Sequence, residues 1–504
     1  MNYGLSEKTI YAYFCENAKL YANDTALLSE RERYTWKQFF EIYNYLIDVF
    51  RSWGISKGKT VVIAAPRNVD APFVIFAAVA TEAIVVLSDP NRAVAYFLND
   101  CSAKIDHDFI IRQNAYGVWI CEGKDGAVHT FCKTDGVGYA KRANAPMTCD
   151  EKTPTYIFFT SGSTGKSKAA LLTQYGMINN GRNNLIIGGG TQKDRTMLIM
   201  PVYHVFGLQI LESNLTMGGC IMIPETRDAD YVLDCVEKYK INHLDAVPTY
   251  YYILTDAQKR RPREISCLEK GIIAGGSYSA QQFMNIDEGL GITLSPSYGM
   301  TETATALCFT PVDASREVRV RGIGKFNPLL DCVIRDLDGN VVEEPEKVGE
   351  ICVRGYCLAL GYLQKEGVGL PLDGEGYFHT GDLAYFDENG FLYLAGRCKD
   401  MIIRGGENIS PLRIANLISE IDGVRDVYVT GVPSEKYGEE VGACIVGENV
   451  FEEIVKEHLK ERLPKNEIPS VYLFVNKMPS LSGTGKPDRN RIIKELTELL
   501  LHKN

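Results

Sequence analysis

The sequence predicts an α/β protein, and three patterns carry that prediction. Short apolar, β-prone runs alternate with helical stretches along the first half of the chain, which is typical of βαβ units with a parallel sheet. From Val333 onwards, short alternating runs separated by turn residues indicate a small β-rich region. After Lys399, compact pieces of both types indicate an α+β region. The length of 504 residues favours about three folding units.

The clearest βαβ unit lies near the amino terminus. Residues 60–65 are apolar and predict a buried strand that ends at Pro66, and a helix of small residues is expected from about Ala71. The next strand is predicted at residues 83–87. Elements of the same kind are predicted at residues 198–200, 220–223, 230–239 and 244–247, of which 230–239 is the helix.

In the second half of the chain, the sequence pattern changes to shorter segments separated by turn residues. The turn pairs Asp338-Gly339 and Asn389-Gly390 separate short strands in the β-rich region. In the last region, residues 424–432 read as a compact αβ piece and residues 452–462 as an amphipathic helix.

Composition excludes several classes of function. A net charge of −10 argues against nucleic acid or an anionic membrane as a general partner. The 14 cysteines are scattered without ligand-like spacing, so we interpret them as reduced and mostly buried, and we expect no structural zinc site at Cys352 and Cys357. Residues 1–8 lack the pattern of a signal peptide, and the longest apolar run, residues 71–86, is interrupted by Thr81 and Glu82. We therefore expect a cytoplasmic protein with no stable membrane insertion.

The most informative segment is a glycine- and hydroxyl-rich loop that leaves a predicted strand at residues 156–159. Glycines allow backbone N–H groups to form an anion-binding concavity, hydroxyls add donors, and lysines add charge, so the composition suits an oligophosphate. Its members are Thr160, Ser161, Gly162, Ser163, Thr164, Gly165, Lys166 and Lys168. The glycine spacing is not that of a Walker A loop, which weakens a P-loop kinase or GTPase interpretation. A flexible surface loop is the alternative.

Four further motifs follow this loop in order. They are Tyr298-Gly299-Met300-Thr301-Glu302-Thr303, Tyr377-Phe378-His379-Thr380-Gly381-Asp382, Gly396-Arg397-Cys398-Lys399-Asp400 and Gly483-Thr484-Gly485-Lys486. Together the five motifs resemble the adenylate-forming superfamily, which includes acyl- and aryl-CoA synthetases, luciferases and the adenylation domains of peptide synthetases. The resemblance covers roughly residues 30–495.

The resemblance implies a domain organisation. It implies a large amino-terminal AMP-binding domain at residues 1–398, made of two parallel-type α/β subdomains and a small β-rich subdomain at about 325–398. A small mobile α+β lid domain is implied at residues 399–504, with its hinge at Lys399 and the catalytic lysine, Lys486, near its end.

It also implies a reaction and its cofactors. A carboxylate attacks the α-phosphorus of ATP, pyrophosphate leaves, and a thiol then displaces AMP from the acyl-adenylate. No protein nucleophile is needed, only alignment and charge neutralisation of two anions. The implied cofactors are ATP, Mg²⁺ and CoA, with a carrier-protein phosphopantetheine as the alternative thiol.

Site residues follow from the same resemblance. The loop at 160–168 would hold the β- and γ-phosphates, Thr301 would donate to the α-phosphate, and Glu302 would hold Mg²⁺. Lys486 would bind the substrate carboxylate and the α-phosphate, and Gly406 would line the thiol passage. The adenine and ribose would be held by Gly275, Gly276, Ser277, Tyr298, Gly299, Met300, Asp382 and Arg397.

The acid itself is less sharply defined. The resemblance places His204 beside the acyl pocket, although it could equally be a histidine of the core. Val205 aligns where amino-acid-activating relatives carry an aspartate, which disfavours an α-amino acid. A medium-chain or aromatic acid passed to CoA by a monomer or homodimer is therefore the first hypothesis. The alternatives are a stand-alone enzyme that loads a carrier protein, and a catalytically silent assembly subunit.

Overall fold

The computed structural model describes residues 4–91, 105–160, 167–276, 278–336, 338–364, 367–479 and 487–503. We number the α-helices of these residues in chain order. They are α1 (Ile10–Leu20), α2 (Trp36–Ser52), α3 (Ala71–Ala80), α4 (Gln174–Ile187), α5 (Val205–Thr216), α6 (Ala229–Tyr239), α7 (Pro248–Arg260), α8 (Ala280–Leu290), α9 (Arg316–Arg321), α10 (Pro411–Ser419), α11 (Glu452–Lys460) and α12 (Arg489–Lys503). Short 3₁₀ turns occur at Lys133–Gly136, Thr301–Thr303 and Cys398–Asp400.

The strands are numbered in the same way. They are β1 (Thr25–Leu28), β2 (Arg33–Thr35), β3 (Thr60–Ala64), β4 (Ile84–Ser88), β5 (Phe109–Gln113), β6 (Trp119–Gly123), β7 (Val128–Phe131), β8 (Pro154–Thr160), β9 (Lys168–Thr173), β10 (Arg195–Met197), β11 (Cys220–Met222), β12 (His243–Leu244), β13 (Lys270–Ile273), β14 (Thr293–Met300), β15 (Thr305–Phe309), β16 (Lys325–Phe326), β17 (Asp331–Arg335), β18 (Gly349–Arg354), β19 (Gly361–Gln364), β20 (Gly367–Gly369), β21 (Phe378–Phe386), β22 (Leu392–Arg397), β23 (Ile402–Arg404), β24 (Glu407–Ile409), β25 (Val424–Ser434), β26 (Gly438–Gly447) and β27 (Val471–Val475).

Two large sheets with parallel centres form most of the protein. One has the order β16-β15-β14-β13-β12-β10-β11-β1-β2, and the other has the order β20-β19-β9-β8-β4-β3-β5-β6-β7. The predicted βαβ unit is present, because β3 and β4 pair in parallel, with Thr60 opposite Ile84, and α3 connects them. Parallel strands buried on both faces explain why these segments read as continuous apolar runs.

Two smaller sheets complete the fold. Strands β17-β18-β21-β22 form an antiparallel sheet, as the turn-rich texture predicts. Strands β24-β23-β26-β25, with β27 parallel to β26, form a mixed sheet with α10, α11 and α12 in the last hundred residues. The predicted α/β fold class is confirmed, with a large amino-terminal part and a small α+β carboxy-terminal part.

Two of the predicted strands are wrong in position. Strand β10 ends at Met197, so the expected strand at 198–200 lies just beyond it, although Leu198 still donates its N–H to Met222 O (2.8 Å). Strand β12 ends at Leu244, and the expected strand at 244–247 continues only as an isolated bridge at Ala246 before Pro248 begins α7. Buried apolar coil has the same sequence texture as a buried strand, which explains both errors.

The two parts of the chain have separate hydrophobic cores. In the amino-terminal part, α1, α2 and α3 interlock through buried aromatic rings, with Phe14 edge-on to Phe39 and Phe76. The carboxy-terminal part has its own core, in which Ile414 and Ile418 of α10 pack with Val441 of β26. No helix among the described residues has the length and hydropathy needed to cross a membrane.

Candidate nucleotide-binding cleft

Three predicted site residues meet through one carboxylate. The hydroxyl of Tyr298, near the end of β14, donates to Asp382 Oδ2 at 2.7 Å. Arg397 Nε lies 2.8 Å from Asp382 Oδ1, because Asp382 on β21 and Arg397 on β22 face each other in the strand register. Asp382 is only 7% exposed. The antiparallel sheet therefore places the Asp382–Arg397 ion pair next to Tyr298, at the end of β14 in a different sheet.

The charges of this group fix the direction of its hydrogen bonds. Burial, and next the negative charge of Asp382, raise the pKa of Tyr298 well above its usual value, so the phenol stays protonated and donates. An ionised carboxylate offers about four acceptor sites, and Tyr298 and Arg397 use two of them. Asp382 therefore keeps acceptor capacity for two neighbouring hydroxyl groups.

The group borders a cleft of about 1320 Å³. One wall comes from the amino-terminal part, and the other includes residues of β22, α10 and β25. The predicted residues that line the cleft are Gly275, Gly276, Tyr298, Gly299, Met300, Asp382 and Arg397. This volume is larger than most small-molecule pockets, and it includes the space between the two parts of the chain.

Glycine is required at two positions in the cleft. Gly275 has φ +77°, in the left-handed region, and a Cβ added there would lie 3.3 Å from Val247 Cγ1. At Gly299 a Cβ would lie 1.6 Å from Thr305 O, because β15 passes directly over it. The first glycine makes a thin wall against which a flat ring can lie, and the second closes the β14–β15 hairpin.

Glu302 lies in the 3₁₀ turn that follows Met300. Its carboxylate accepts a hydrogen bond from the Tyr362 hydroxyl (2.7 Å), and its carbonyl accepts from the Ala359 N–H (2.8 Å). Burial and this hydrogen bond raise the pKa of Tyr362, so its hydroxyl remains the donor. A carboxylate held by one neutral donor keeps oxygens free for a hard cation, so the position fits Mg²⁺.

Tyr362 also connects this turn to β8 and β9, the two strands that flank the glycine-rich loop. Strand β19 pairs with β9, where Tyr362 is opposite Ala170, and Lys168 Nζ lies 4.6 Å from the centre of the Tyr362 ring. The sheet thus places Lys168, at the end of the glycine-rich loop, and the Glu302 turn on either side of one tyrosine. Thr160 is the last residue of β8, opposite Lys168 in the hairpin.

His204 precedes α5 and is exposed to solvent, so it is not a histidine of the core. Its ring packs against Tyr203, with centroids 4.9 Å apart. Surrounding protein atoms desolvate the imidazolium and lower its pKa, and the charge of Arg227 acts in the same direction while Asp89 opposes it. His204 is therefore a neutral imidazole near pH 7.

The remaining predicted residues have simpler surroundings. Lys399 is exposed in the 3₁₀ turn Cys398–Asp400, and Gly406, with φ +89°, is exposed in the β23–β24 turn. The predicted residues Ser161, Gly162, Ser163, Thr164, Gly165, Lys166, Ser277 and Lys486 lie outside the described residues.

Two contacts escaped the sequence analysis. Tyr362 has no motif around it, and only its pairing with β9 brings it to Glu302. Glu350 accepts the backbone N–H of Gly381 at 2.8 Å and so holds the turn before Asp382. The alternation of Glu350 with apolar neighbours along a strand indicates a structural residue, but the sequence gives no sign of its partner.

Comparison with known proteins identifies the family of this chain. The sequence profile of the AMP-binding enzyme family matches residues 14–363, and that of the AMP-binding enzyme C-terminal domain matches residues 413–486. The chain belongs to the AMP-binding enzyme family. This membership confirms the resemblance to adenylate-forming enzymes, and with the relatives below it supports the predicted class, an AMP-forming acid–thiol ligase.

The relatives of this AMP-binding enzyme carry names of acyl-activating proteins. It is 31% identical over 349 residues to the putative acyl-CoA synthetase YngI of Bacillus subtilis (strain 168), a match that covers 68% of this chain and 63% of that protein. It is 27% identical over 504 residues to 2-succinylbenzoate–CoA ligase of Bacillus cereus (strain AH820), covering 97% and 99% of the two chains.

The fold also matches solved structures. O-succinylbenzoate coenzyme A synthetase (MenE) from Bacillus subtilis, in complex with ATP and magnesium ion, superposes with a TM-score of 0.76 at 23% identity, covering 95% of this chain and 99% of that one. That protein binds ATP and magnesium in the same fold. The likeness confirms the predicted fold class.

Proposed function

We propose that this chain uses ATP and Mg²⁺ to convert a small carboxylic acid into an acyl-adenylate, releasing pyrophosphate, and then transfers the acyl group to the thiol of CoA. The observation that carries the proposal is the Tyr298–Asp382–Arg397 group at the edge of the glycine-walled cleft, in a chain of the AMP-binding enzyme family.

The nucleoside is held by groups that need no rearrangement. Asp382 accepts hydrogen bonds from the two ribose hydroxyls with its unused acceptor sites, while Arg397 and Tyr298 fix its orientation. The Tyr298 ring covers one face of the adenine, and the backbone at Gly275 and Gly276 covers the other. Both faces are built from strand ends and tight turns, so little conformational entropy is lost on binding.

The residues proposed to lie near the phosphates of ATP neutralise phosphate charge. Thr301 would donate to the α-phosphate, and Glu302 would hold Mg²⁺, which when bound would neutralise phosphate charge. Lys168 adds a positive charge beside this turn. Lys486 is assigned by the sequence to the substrate carboxylate and the α-phosphate, the two anions whose repulsion opposes the reaction.

The acid is proposed to be a medium-chain or aromatic carboxylate. His204 has a lowered pKa and packs against the Tyr203 ring, which suits an acyl group better than a second charge. Val205, at the position where amino-acid-activating relatives carry an aspartate, disfavours an α-ammonium group. CoA is favoured as the thiol because the curated relatives carry the names of CoA ligases and synthetases. The oligomeric state, a monomer or a homodimer, and the cytoplasmic location of the protein stay predictions.

Two alternatives remain distinguishable. A stand-alone enzyme that loads a carrier protein would perform the same first step with a different thiol. A silent assembly subunit would perform neither step. Catalysis requires the aligned Asp382–Arg397 pair and the oriented Glu302 carboxylate, whereas an assembly role does not require them.

The test is carboxylate-dependent exchange of pyrophosphate into ATP, with straight-chain, branched and aromatic acids and the amino acids. We expect exchange with a subset of the medium-chain or aromatic acids and none with amino acids. Adding CoA or a phosphopantetheinylated carrier protein then identifies the thiol. Absence of exchange with every acid, in protein shown to bind ATP, would contradict the proposed function.

A further inference from the structure

A second cluster of chemically reactive side chains lies on the outer end of the antiparallel sheet. Glu350 and Cys352 are on β18, and His379 is on the neighbouring strand β21, opposite Cys352 in the register. His379 Nδ1 lies 2.8 Å from Glu350 Oε2 and 3.5 Å from Cys352 Sγ. One oxygen, one sulfur and one nitrogen therefore lie within 4.8 Å of one another.

The groups behind these three atoms are already oriented. His379 Nε2 lies 3.3 Å from Asp373 Oδ2, and the other oxygen of Asp373 accepts the Tyr377 N–H at 2.8 Å. The second oxygen of Glu350 accepts the Gly381 N–H at 2.8 Å. A histidine that donates one ring N–H to a carboxylate while its other nitrogen faces a sulfur and an oxygen has the surroundings typical of a metal-ligating histidine.

A second thiol lies beside the cluster. Cys398, in the 3₁₀ turn after β22, lies near Glu350 but outside the three-residue cluster. Burial, and next the charge of Glu350, raise the pKa of Cys352 to about 12 and that of Cys398 to about 11. A raised pKa opposes thiolate formation for nucleophilic, redox and metal-binding functions alike, and a bound divalent cation would offset this cost by stabilising the thiolates.

We propose that Glu350, Cys352, His379 and Cys398 form a binding site for a divalent cation of the zinc class. Two sulfurs, one imidazole and one carboxylate are ligands that borderline-soft cations prefer and that Mg²⁺ does not. The site is therefore separate in chemistry as well as in place from the Mg²⁺ assigned to Glu302. It also differs in its ligands from a site that pairs Cys352 with Cys357.

The geometry of the three clustered residues fits with a small adjustment, whereas Cys398 lies outside the 4.8 Å cluster, so its turn must move towards the other ligands when the cation binds. Tetrahedral zinc bonds of about 2.0 Å to nitrogen and 2.3 Å to sulfur hold those two atoms about 3.5 Å apart, and Cys352 Sγ and His379 Nδ1 are 3.5 Å apart. The Glu350–His379 separation of 2.8 Å must widen by about half an ångström. On binding, each thiol releases one proton to solvent, and the proton between Nδ1 and Glu350 is also released.

Binding would have a mechanical consequence. Cys398 lies between Arg397 of the nucleotide cleft and Lys399, the predicted hinge. A cation would fix Cys398 to strands β18 and β21, on the amino-terminal side of Lys399, and so hold the residue before the predicted hinge in place. That consequence rests on the proposed function, whereas binding of the cation does not.

The test uses the full chain, stripped with a chelator and kept reduced, and titrated with Co²⁺ as a spectroscopic substitute for Zn²⁺. We expect a thiolate-to-cobalt charge-transfer band that saturates at one ion per chain and disappears when Zn²⁺ is added. Cys398→Ser is the principal variant because its side chain is exposed, so the fold is retained. It should weaken Co²⁺ binding at least tenfold and reduce the band.

Two further variants complete the design. Cys352→Ser removes the buried sulfur and should also lower the band, with circular dichroism as the check on folding. Cys132→Ser removes an exposed cysteine outside the cluster and should leave the titration unchanged. Lack of a band at one ion per chain, or a band that survives both Cys398→Ser and Cys352→Ser, would overturn the site. Loss in Cys352→Ser alone would overturn the assignment of Cys398.

Discussion

Asp382 joins the two sides of the cleft at the scale of single residues. It lies on the antiparallel sheet, it accepts from Tyr298 at the end of a strand of a large sheet, and it is paired with Arg397. Buried hydrogen bonds to a charged group are worth about 1.5–3 kcal/mol, so this contact contributes to both the position of the carboxylate and the closure of the site.

Tyr298→Phe is the first prediction at this scale. The ring is kept and the donor to Asp382 is lost, so we expect the KM for ATP to rise about tenfold, with a smaller change in kcat. The measurement is steady-state pyrophosphate release. Tyr139→Phe removes a tyrosine–aspartate hydrogen bond of the same 2.7 Å length outside the cleft, to Asp48, and should leave the KM unchanged. An equal rise in the KM for ATP in both variants would contradict a role of the Tyr298–Asp382 hydrogen bond in binding ATP.

Tyr362→Phe is the second prediction. Glu302 loses the hydrogen bond from the Tyr362 hydroxyl, and residues that orient a metal ligand typically contribute 10–100-fold to metal affinity. We expect the Mg²⁺ concentration for half-maximal activity to rise at least tenfold. Tyr34→Phe, which removes a tyrosine–glutamate hydrogen bond to Glu32, is the matched control and should not shift it. An unchanged Mg²⁺ requirement in Tyr362→Phe would refute the orienting role.

Helix α5 shows how an element combines functional and structural demands. His204 precedes its first turn, whereas Glu212 near its end is buried and accepts from the Tyr156 hydroxyl at 2.9 Å. The other Glu212 oxygen makes no hydrogen bond with any described residue. Burial raises the pKa of Glu212 to about 8, so this carboxyl is neutral in the folded protein at pH 7.

The pH dependence of stability tests this helix. An acid with a raised pKa in the folded state holds a proton that the unfolded chain releases, so the contribution of Glu212 to stability is fully present below about pH 4.5 and is lost as the pH rises towards about 8. The slope reaches at most about 1.4 kcal/mol per pH unit. We expect Glu212→Gln to be less sensitive to pH than the parent protein over this interval, measured by urea unfolding. Parallel pH curves would contradict a neutral Glu212.

Elements also show what the sequence could predict. The βαβ unit, helix α6 and the antiparallel sheet were predictable because their periodicity and turn residues are local signals. Tyr298, Asp382 and Arg397 were predictable as a set only through the order of their motifs. The contact of Tyr362 with Glu302 was not predictable. It depends on β19, which follows β18 of the antiparallel sheet in the chain but pairs with β9 in one of the large sheets.

At the scale of the whole molecule, two cores are joined across the cleft by polar contacts. The Ser410 hydroxyl donates to Ala395 O, and Arg321 lies 3.4 Å from Glu420. Exposed ion pairs of this kind contribute about 0–1 kcal/mol each. Contacts of this strength would allow the carboxy-terminal part, the mobile lid that the resemblance implies, to rotate at Lys399 between the two half-reactions.

Lys399→Pro tests that rotation. Proline fixes φ near −65° and would restrict the hinge to one orientation. We expect one half-reaction to fall at least a hundredfold while the other stays within a few fold, as measured by pyrophosphate exchange and by consumption of supplied acyl-adenylate with CoA. Lys399→Ala, which keeps backbone freedom, should retain both. Equal loss of both half-reactions in Lys399→Pro alone would contradict a hinge at this residue.

The most direct test of the whole account separates the two half-reactions in Lys486→Ala. Lys486 is assigned to adenylation alone, so we predict that pyrophosphate exchange falls by several orders of magnitude, while transfer from supplied acyl-adenylate to CoA stays close to that of the parent protein. Equal loss in both half-reactions would contradict an adenylating lysine that leaves the site before the thiol enters.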